Sequence, residues 1–115
     1  MEYIFVWQTH GYKKIALDEI ILLKAARSYC EIYLEGKGIM VVSLPLSDIL
    51  TTLNSNHFVR IHRSYAVNLK YVDSITGNSL VLSDKENTRL LIGREYRKNI
   101  FGIFPIIGPK SRKIK

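Results

Sequence analysis

The apolar residues of this chain come in short packets, and each packet stops at a turn signal. "YIFVWQ" at 3–8 runs into "THG", "YCEIYL" at 29–34 into "EGKG", and "FVRIH" at 58–62 into a knot of polar residues. Packets of that length, rich in β-branched and aromatic residues, are the signature of strands. In "YCEIYL" a period of two puts Tyr29, Glu31 and Tyr33 on one face and Cys30, Ile32 and Leu34 on the other. "KKIAL" and "EIILLKAA" read as two more strands with a turn at Asp18, and "EGKG" closes a hairpin onto "IMVVS" because its glycines tolerate positive φ. Gly77–Asn78 predicts a second hairpin between "YVDSI" and "SLVLSD", and "TRLLIG" is the last strand.

One stretch changes period. In "SLPLSDILTTLN" the residues Leu46, Ile49, Leu50 and Leu53 fall on one stripe of a helix, with Ser43 as N-cap, Pro45 in the first turn and Asn54 as the stop. Two turns cannot stand alone in water, so this helix must pack on a sheet. "REYRKNIFGIF" can start a second short helix that leaves Arg94, Arg97 and Lys98 exposed. The expected fold is therefore mainly β with one short amphipathic helix. Residues 1–105 are expected to form one domain, and 106–115 a flexible basic tail carrying Lys110, Arg112, Lys113 and Lys115.

The chain has 115 residues, room for a single core. Lys and Arg outnumber Asp and Glu by seven, a large excess for this size that favours an acidic partner such as nucleic acid. A single cysteine, Cys30, rules out an internal disulfide and fits a reducing compartment. No secretory signal opens the sequence, and its longest apolar runs fall far short of the roughly 20 residues that span a bilayer. A cytoplasmic protein with no membrane partner is the expectation.

Catalysis fits poorly. His10, His57 and His62 have no zinc-like spacing with each other, with Cys30 or with a carboxylate. "HRS" at 62–64 lacks the aspartate of a kinase catalytic loop, and no G-x-S-x-G elbow surrounds Ser64. Neither a metal nor a cofactor is expected. Nucleic-acid binding fits better, because the cations gather at predicted strand ends: Arg27 before "SYC", Arg60 to Arg63, and Arg94 to Lys98. Guanidinium groups there can neutralise phosphates or grip guanine through two parallel hydrogen bonds.

"DEIILLKAARSYCEIYL" at 18–34, "SLPLSDILTTL" at 43–53, "FVRIHRSYAVNLKYVDSI" at 58–75 and "GREYRKNI" at 93–100 together resemble the LytTR domain. That domain is the DNA-binding module of LytR- and AgrA-type bacterial response regulators. The third stretch carries the resemblance most specifically, through its phenylalanine, R-I-H-R-S-Y and V-N.

The resemblance implies an elongated β–β–β sandwich that inserts loops into successive major grooves at direct-repeat promoter sites on double-stranded DNA. A homodimer on tandem repeats is among the arrangements it allows. It implies base contacts from Arg94 and Arg63, and from the first loop at Ser28, Tyr29 and Cys30, although a cysteine is a poor match where some members carry histidine. It assigns phosphate contacts to Arg27, Arg60, His62, Ser64, Lys70, Arg97 and Lys98. His62 and Asn68 are also expected to bond the backbone of the loop that aims Arg63, while Tyr65, Val67 and Leu69 anchor it in the core. Regulators of this kind usually carry an N-terminal receiver domain as part of a two-component system. The start at Met1 and the unusual tail favour a stand-alone regulator over a fragment. The competing expectation is a basic β module for single-stranded RNA or a protein partner, with Tyr29, Tyr33 and Tyr71 as its exposed platform.

Overall fold

The computed structural model describes residues 2–109. The lysines and arginine assigned to the tail lie outside them.

β3 (Ile20–Ala26) sets the architecture, because it is buried on both faces. Its near-continuous apolar run leaves no polar face to turn toward water, so a layer must cover each side. Around it stands a five-stranded antiparallel sheet in the order β5 (Gly38–Val42), β4 (Tyr29–Leu34), β3, β7 (Tyr65–Asn68), β6 (Phe58–His62). Leu23 of β3, Cys30 and Ile32 of β4 and Ala66 of β7 face one core. That core is closed by Val6 of β1 (Tyr3–Gln8), Ile15 of β2 (Gly11–Ala16) and the stripe Leu46, Ile49 and Leu53 of α1 (Leu46–Leu53). Leu22, Val67, Val59 and Ile61 face the opposite core. There they meet Leu80 and Leu82 of β9 (Ser79–Leu82), Leu90 of β10 (Arg89–Leu91) and Ile100 of α2 (Arg97–Ile103). β8 (Val72–Thr76) completes a three-stranded outer sheet with β9 and β10, and β1 pairs with β2 as a two-stranded one. The result is the expected three-layer β sandwich, elongated to 50 × 26 × 25 Å.

The pairing register slips between Ile20 and Leu22. Such an irregularity resets the alternation, and Ile20 consequently serves the first core while Leu22 serves the second. Asn68 is the buried polar residue of the sheet. Its amide donates to the carbonyls of Ile20 (2.9 Å) and Leu17 (3.4 Å), and its oxygen accepts from the Lys70 N–H (3.0 Å). It therefore locks β7 to the β2–β3 connection. The expectation that it bonds the loop bearing Arg63 is corrected, since that loop lies at the other end of β7.

Other local expectations also shift. Pro45 itself, not Ser43, is the N-cap of α1: its extended backbone (φ −68°, ψ 153°) presents a carbonyl to the Asp48 and Ile49 N–H groups. Asn54 stops the helix as expected, in the left-handed conformation (φ 44°) that asparagine tolerates. α2 is the second short helix expected in "REYRKNIFGIF", with Arg97 half-buried instead of exposed. The polar knot after β6 holds a strand, β7, that alternation could not reveal because Ala66, Val67 and Asn68 are all buried.

Asn68→Ala removes the amide that satisfies a buried carbonyl. It should cost about 1–3 kcal/mol of folding stability, read as a lower urea midpoint with an unchanged slope.

Candidate nucleic-acid interface

Three turns meet at one end of the central sheet. The first is Arg27–Ser28, the two-residue link between Ala26 of β3 and its partner Tyr29 of β4. Arg27 sits there at φ 57°, a left-handed conformation uncommon for a side-chain-bearing residue other than Asn or Asp. The second is Arg63–Ser64, linking the paired residues His62 of β6 and Tyr65 of β7. The Ala25 N–H donates to the Ser64 carbonyl (2.8 Å), which continues the β3–β7 ladder and holds the two turns side by side. The third is Gly93–Arg94: the Gly93 N–H donates to the Ile61 carbonyl (2.7 Å), and Arg94 opens a short 3-10 turn (Arg94–Tyr96) leading into α2.

Gly93 sits where its backbone packs closely against β6. A Cβ there would sit 3.2 Å from Tyr96 Cδ2 and 3.4 Å from the His62 Cα. The absence of a side chain lets the Arg94 turn lie directly on β6. Asn99 of α2 then donates to the Arg60 carbonyl (3.2 Å), and Ile100 is fully buried in the second core. The sequence signal for this apparatus was the glycine in "IGREYRKN", whose closeness to β6 no linear pattern reveals.

Arg60 and His62 hold the second turn from within. The Arg60 guanidinium donates to the His62 carbonyl (3.2 Å) and to the Arg63 carbonyl. His62 accepts the Ser64 N–H at Nδ1 (3.1 Å), leaving Nε2 to carry the ring proton, and its ring leans on Tyr65 with centroids 5.1 Å apart. Val67 is buried in the second core, and Tyr65 and Leu69 pack against it. With its carbonyls engaged from behind, this turn presents the Arg63 side chain outward.

Arg27, Arg63 and Arg94 are all exposed, and among the described residues none of them is in an ion pair. Three cationic turns are thus joined through main-chain hydrogen bonds on a rigid scaffold. This is a surface on which a polyanion meets positive charge without first breaking internal pairs.

A family model described as the LytTr DNA-binding domain matches residues 10–104. The chain belongs to the LytTR DNA-binding domain family. Among solved structures it is similar to the LytTr DNA-binding domain of a Bacillus cereus protein described as a methyl-accepting/DNA response regulator. The TM-score is 0.74 at 16% identity, over 92% of this chain and 99% of that one, a likeness of fold. No curated protein gives a significant match.

Within this LytTR scaffold the remaining predicted residues divide. Ser28 and Tyr29 flank the first turn and are exposed, and Ser64 lies half-buried in the second. Lys98 projects from α2, whereas Arg97 is half-buried with its Nε shielded and without a hydrogen-bond partner. Lys70 is exposed and follows the far end of β7, a full strand away from the three turns, with its ammonium 5.6 Å from the Tyr71 ring centroid.

Cys30 is corrected. Its side chain is 0% exposed, on the inward face of β4, and cannot meet a base. Desolvation raises its thiol above the ordinary range, with nearby Glu31 acting in the same direction.

The proposed stacking platform is also overturned. Tyr71 is 4% exposed, with its hydroxyl 2.7 Å from both the Asp18 carbonyl and Glu35 Oε1, and Tyr33 is half-buried against Glu31. Burial first, and Glu35 second, push the Tyr71 hydroxyl above the usual tyrosine range. Among the described residues no three His, Cys, Asp or Glu side chains are grouped to hold a metal ion, and no helix is long and apolar enough to cross a membrane.

Two outcomes follow from this geometry. Arg60→Ala should speed amide hydrogen exchange across residues 62–64 by about tenfold or more while lowering the thermal midpoint by no more than about 4–8 °C. Cys30 should react with a thiol reagent at least about a hundredfold more slowly in the folded protein than in denaturant, as followed by absorbance of the released chromophore.

Proposed function

We propose that this chain is a sequence-specific, double-stranded DNA-binding transcriptional regulator of a bacterial cytoplasm. Its three turns enter successive major grooves at direct-repeat promoter sites. The observation that carries the proposal is the juxtaposition of Arg27, Arg63 and Arg94 on adjoining turns, each cation outside any ion pair among the described residues. Family membership supports the same reading.

The roles follow from exposure and reach. Arg94 and Arg63 are the base readers, since an exposed guanidinium can match guanine O6 and N7 through two parallel bonds. Ser28 and Tyr29 supply the contacts of the first turn. Arg27, Ser64 and Lys98 serve phosphates, which give affinity and register without sequence information. Arg60 and His62 act mainly as positioning residues. Arg60 directs two donors at the turn carbonyls, and its remaining N–H groups can still serve a phosphate. The shielded Arg97 contributes positive potential at the root of α2.

Selection from a random duplex pool should recover a motif repeated at helical-turn spacing. On that site Arg94→Ala should cost about 1–3 kcal/mol of binding energy, with a much smaller loss on random duplex. An equal loss on both would reduce Arg94 to a phosphate contact, and recovery of no motif would defeat the reading.

A further inference from the structure

The outer face of the β1–β2 hairpin does not belong to the arginine surface. Ile4, Val6 and Ile15 of the hairpin point into the first core, so the alternate residues point out. A two-stranded layer facing water ordinarily carries polar side chains at those positions. Here they are Tyr3, Phe5 and Trp7 on β1, paired across the ladder with Ala16, Lys14 and Tyr12 of β2. Tyr3, Phe5, Trp7 and Tyr12 are 50%, 64%, 58% and 70% exposed. The Trp7 and Tyr12 rings meet edge to face at 5.1 Å, and the Lys14 ammonium lies 4.3 Å from the centroid of the Tyr3 ring. Three of the four aromatics precede residue 10, where the match to the DNA-binding family model begins.

Area and charge decide what fits this face. The exposed parts of four aromatic side chains come to roughly 400–600 Å², the size of the largest apolar patch on a typical monomer, which is often functional. Two such faces together supply roughly 1,000 Å², most of the 1,200 Å² at which specific interfaces begin. Among the described residues of the two strands, Lys14 is the charged side chain on this face, and it already leans on Tyr3. One committed cation is too little for a phosphate backbone or an anionic lipid surface, and among the described residues of the two strands none sets a carboxylate on this face for a basic peptide.

What suits a nearly uncharged aromatic plane is another like it, with ring edges set against ring faces. We propose that the outer β1–β2 face is a self-association surface, on which a second copy of this chain packs its own β1–β2 face about a two-fold axis.

The hairpin joins the start of β3, whereas the first arginine turn lies at that strand's finish. Each chain carries a formal charge of +7, so two copies repel at low salt. Screening removes that repulsion and leaves apolar burial intact. Self-association therefore tightens as salt rises, the reverse of DNA binding, which loosens by counterion release.

Trp7 is the chain's one tryptophan, so its emission reports directly on this face. The test is sedimentation equilibrium of the whole 115-residue chain without DNA, at about 50 mM and about 200 mM salt, alongside Trp7 emission over the same protein concentrations. A dimer that is tighter at the higher salt is expected, with a blue shift of Trp7 tracking its formation. Phe5→Thr/Tyr12→Thr, with β-branched replacements that keep strand propensity, should weaken association by about a hundredfold or more. Leu91→Thr, at an exposed apolar position on the far sheet, should leave it unchanged.

A chain that stays monomeric, a dimer that leaves Trp7 emission unmoved, or equal loss in Leu91→Thr would each overturn the proposal. A Trp7 shift induced by anionic vesicles or a single-stranded oligonucleotide, without self-association, would also overturn it and give the face to that partner. Because DNA is absent, these results do not depend on the regulatory reading.

Discussion

Everything in this molecule hangs on a strand that cannot face water on either side. β3 sends Leu23 one way and Leu22 the other, and each requires its own covering layer. The hairpin and α1 cover one face, and the three-stranded sheet and α2 cover the other. Burial of a leucine or isoleucine side chain contributes about 1.5–3 kcal/mol, so the sandwich is held by the summed alternation of a few central strands. Polar bonding then sets register within that apolar frame. Asn68 uses its amide on carbonyls of the β2–β3 connection, where an apolar residue would leave them unsatisfied in the interior.

A rigid sheet matters to the surface because it converts strand order into the placement of charge. β3 and β7 are neighbours, so the turns at their ends are neighbours too. The chain leaving β10 is then stitched to β6 through Gly93 and Asn99. The first two turns have no helix to stiffen them, whereas the third runs straight into α2. Their order comes from main-chain bonds, from Arg60 behind the second turn, and from Arg27 held in the left-handed region. A non-glycine residue there costs on the order of 1–3 kcal/mol, and that cost is sustained because β3 and β4 pair on both sides of it. The arrangement keeps three guanidinium groups exposed and limits the entropy lost when a polyanion arrives.

The same layered logic exposes the β1–β2 hairpin. A two-stranded layer has one face for the core and one left over, and here the leftover face is aromatic. The cationic turns and the aromatic plane are built from different residues, the first suited to charge and the second to apolar burial. Their salt responses are opposed for the same reason, since counterions weaken the first contact and screen the repulsion that hinders the second.

The strands with one wet face were legible in the residues, because alternation leaves a period in the sequence. "YCEIYL" and "FVRIH" coincide with β4 and β6 residue for residue. The helical stripe of α1 and the Gly77–Asn78 hairpin were legible through period and glycine, and the family through the run beginning at Phe58. β7 was not, since a strand buried on both faces has no alternation to read. Cys30 was misplaced although its own period marked it as inward, because the resemblance pointed to the loop beside it. The aromatic face of β1 was visible as residues but not as a surface. Local chemistry dictates which residues prefer strand, turn or helix, since those preferences act over a few positions. Which turns become neighbours, which cations go unpaired and which aromatic face stays uncovered were decided in the tertiary structure, because each depends on contacts between segments far apart in the chain.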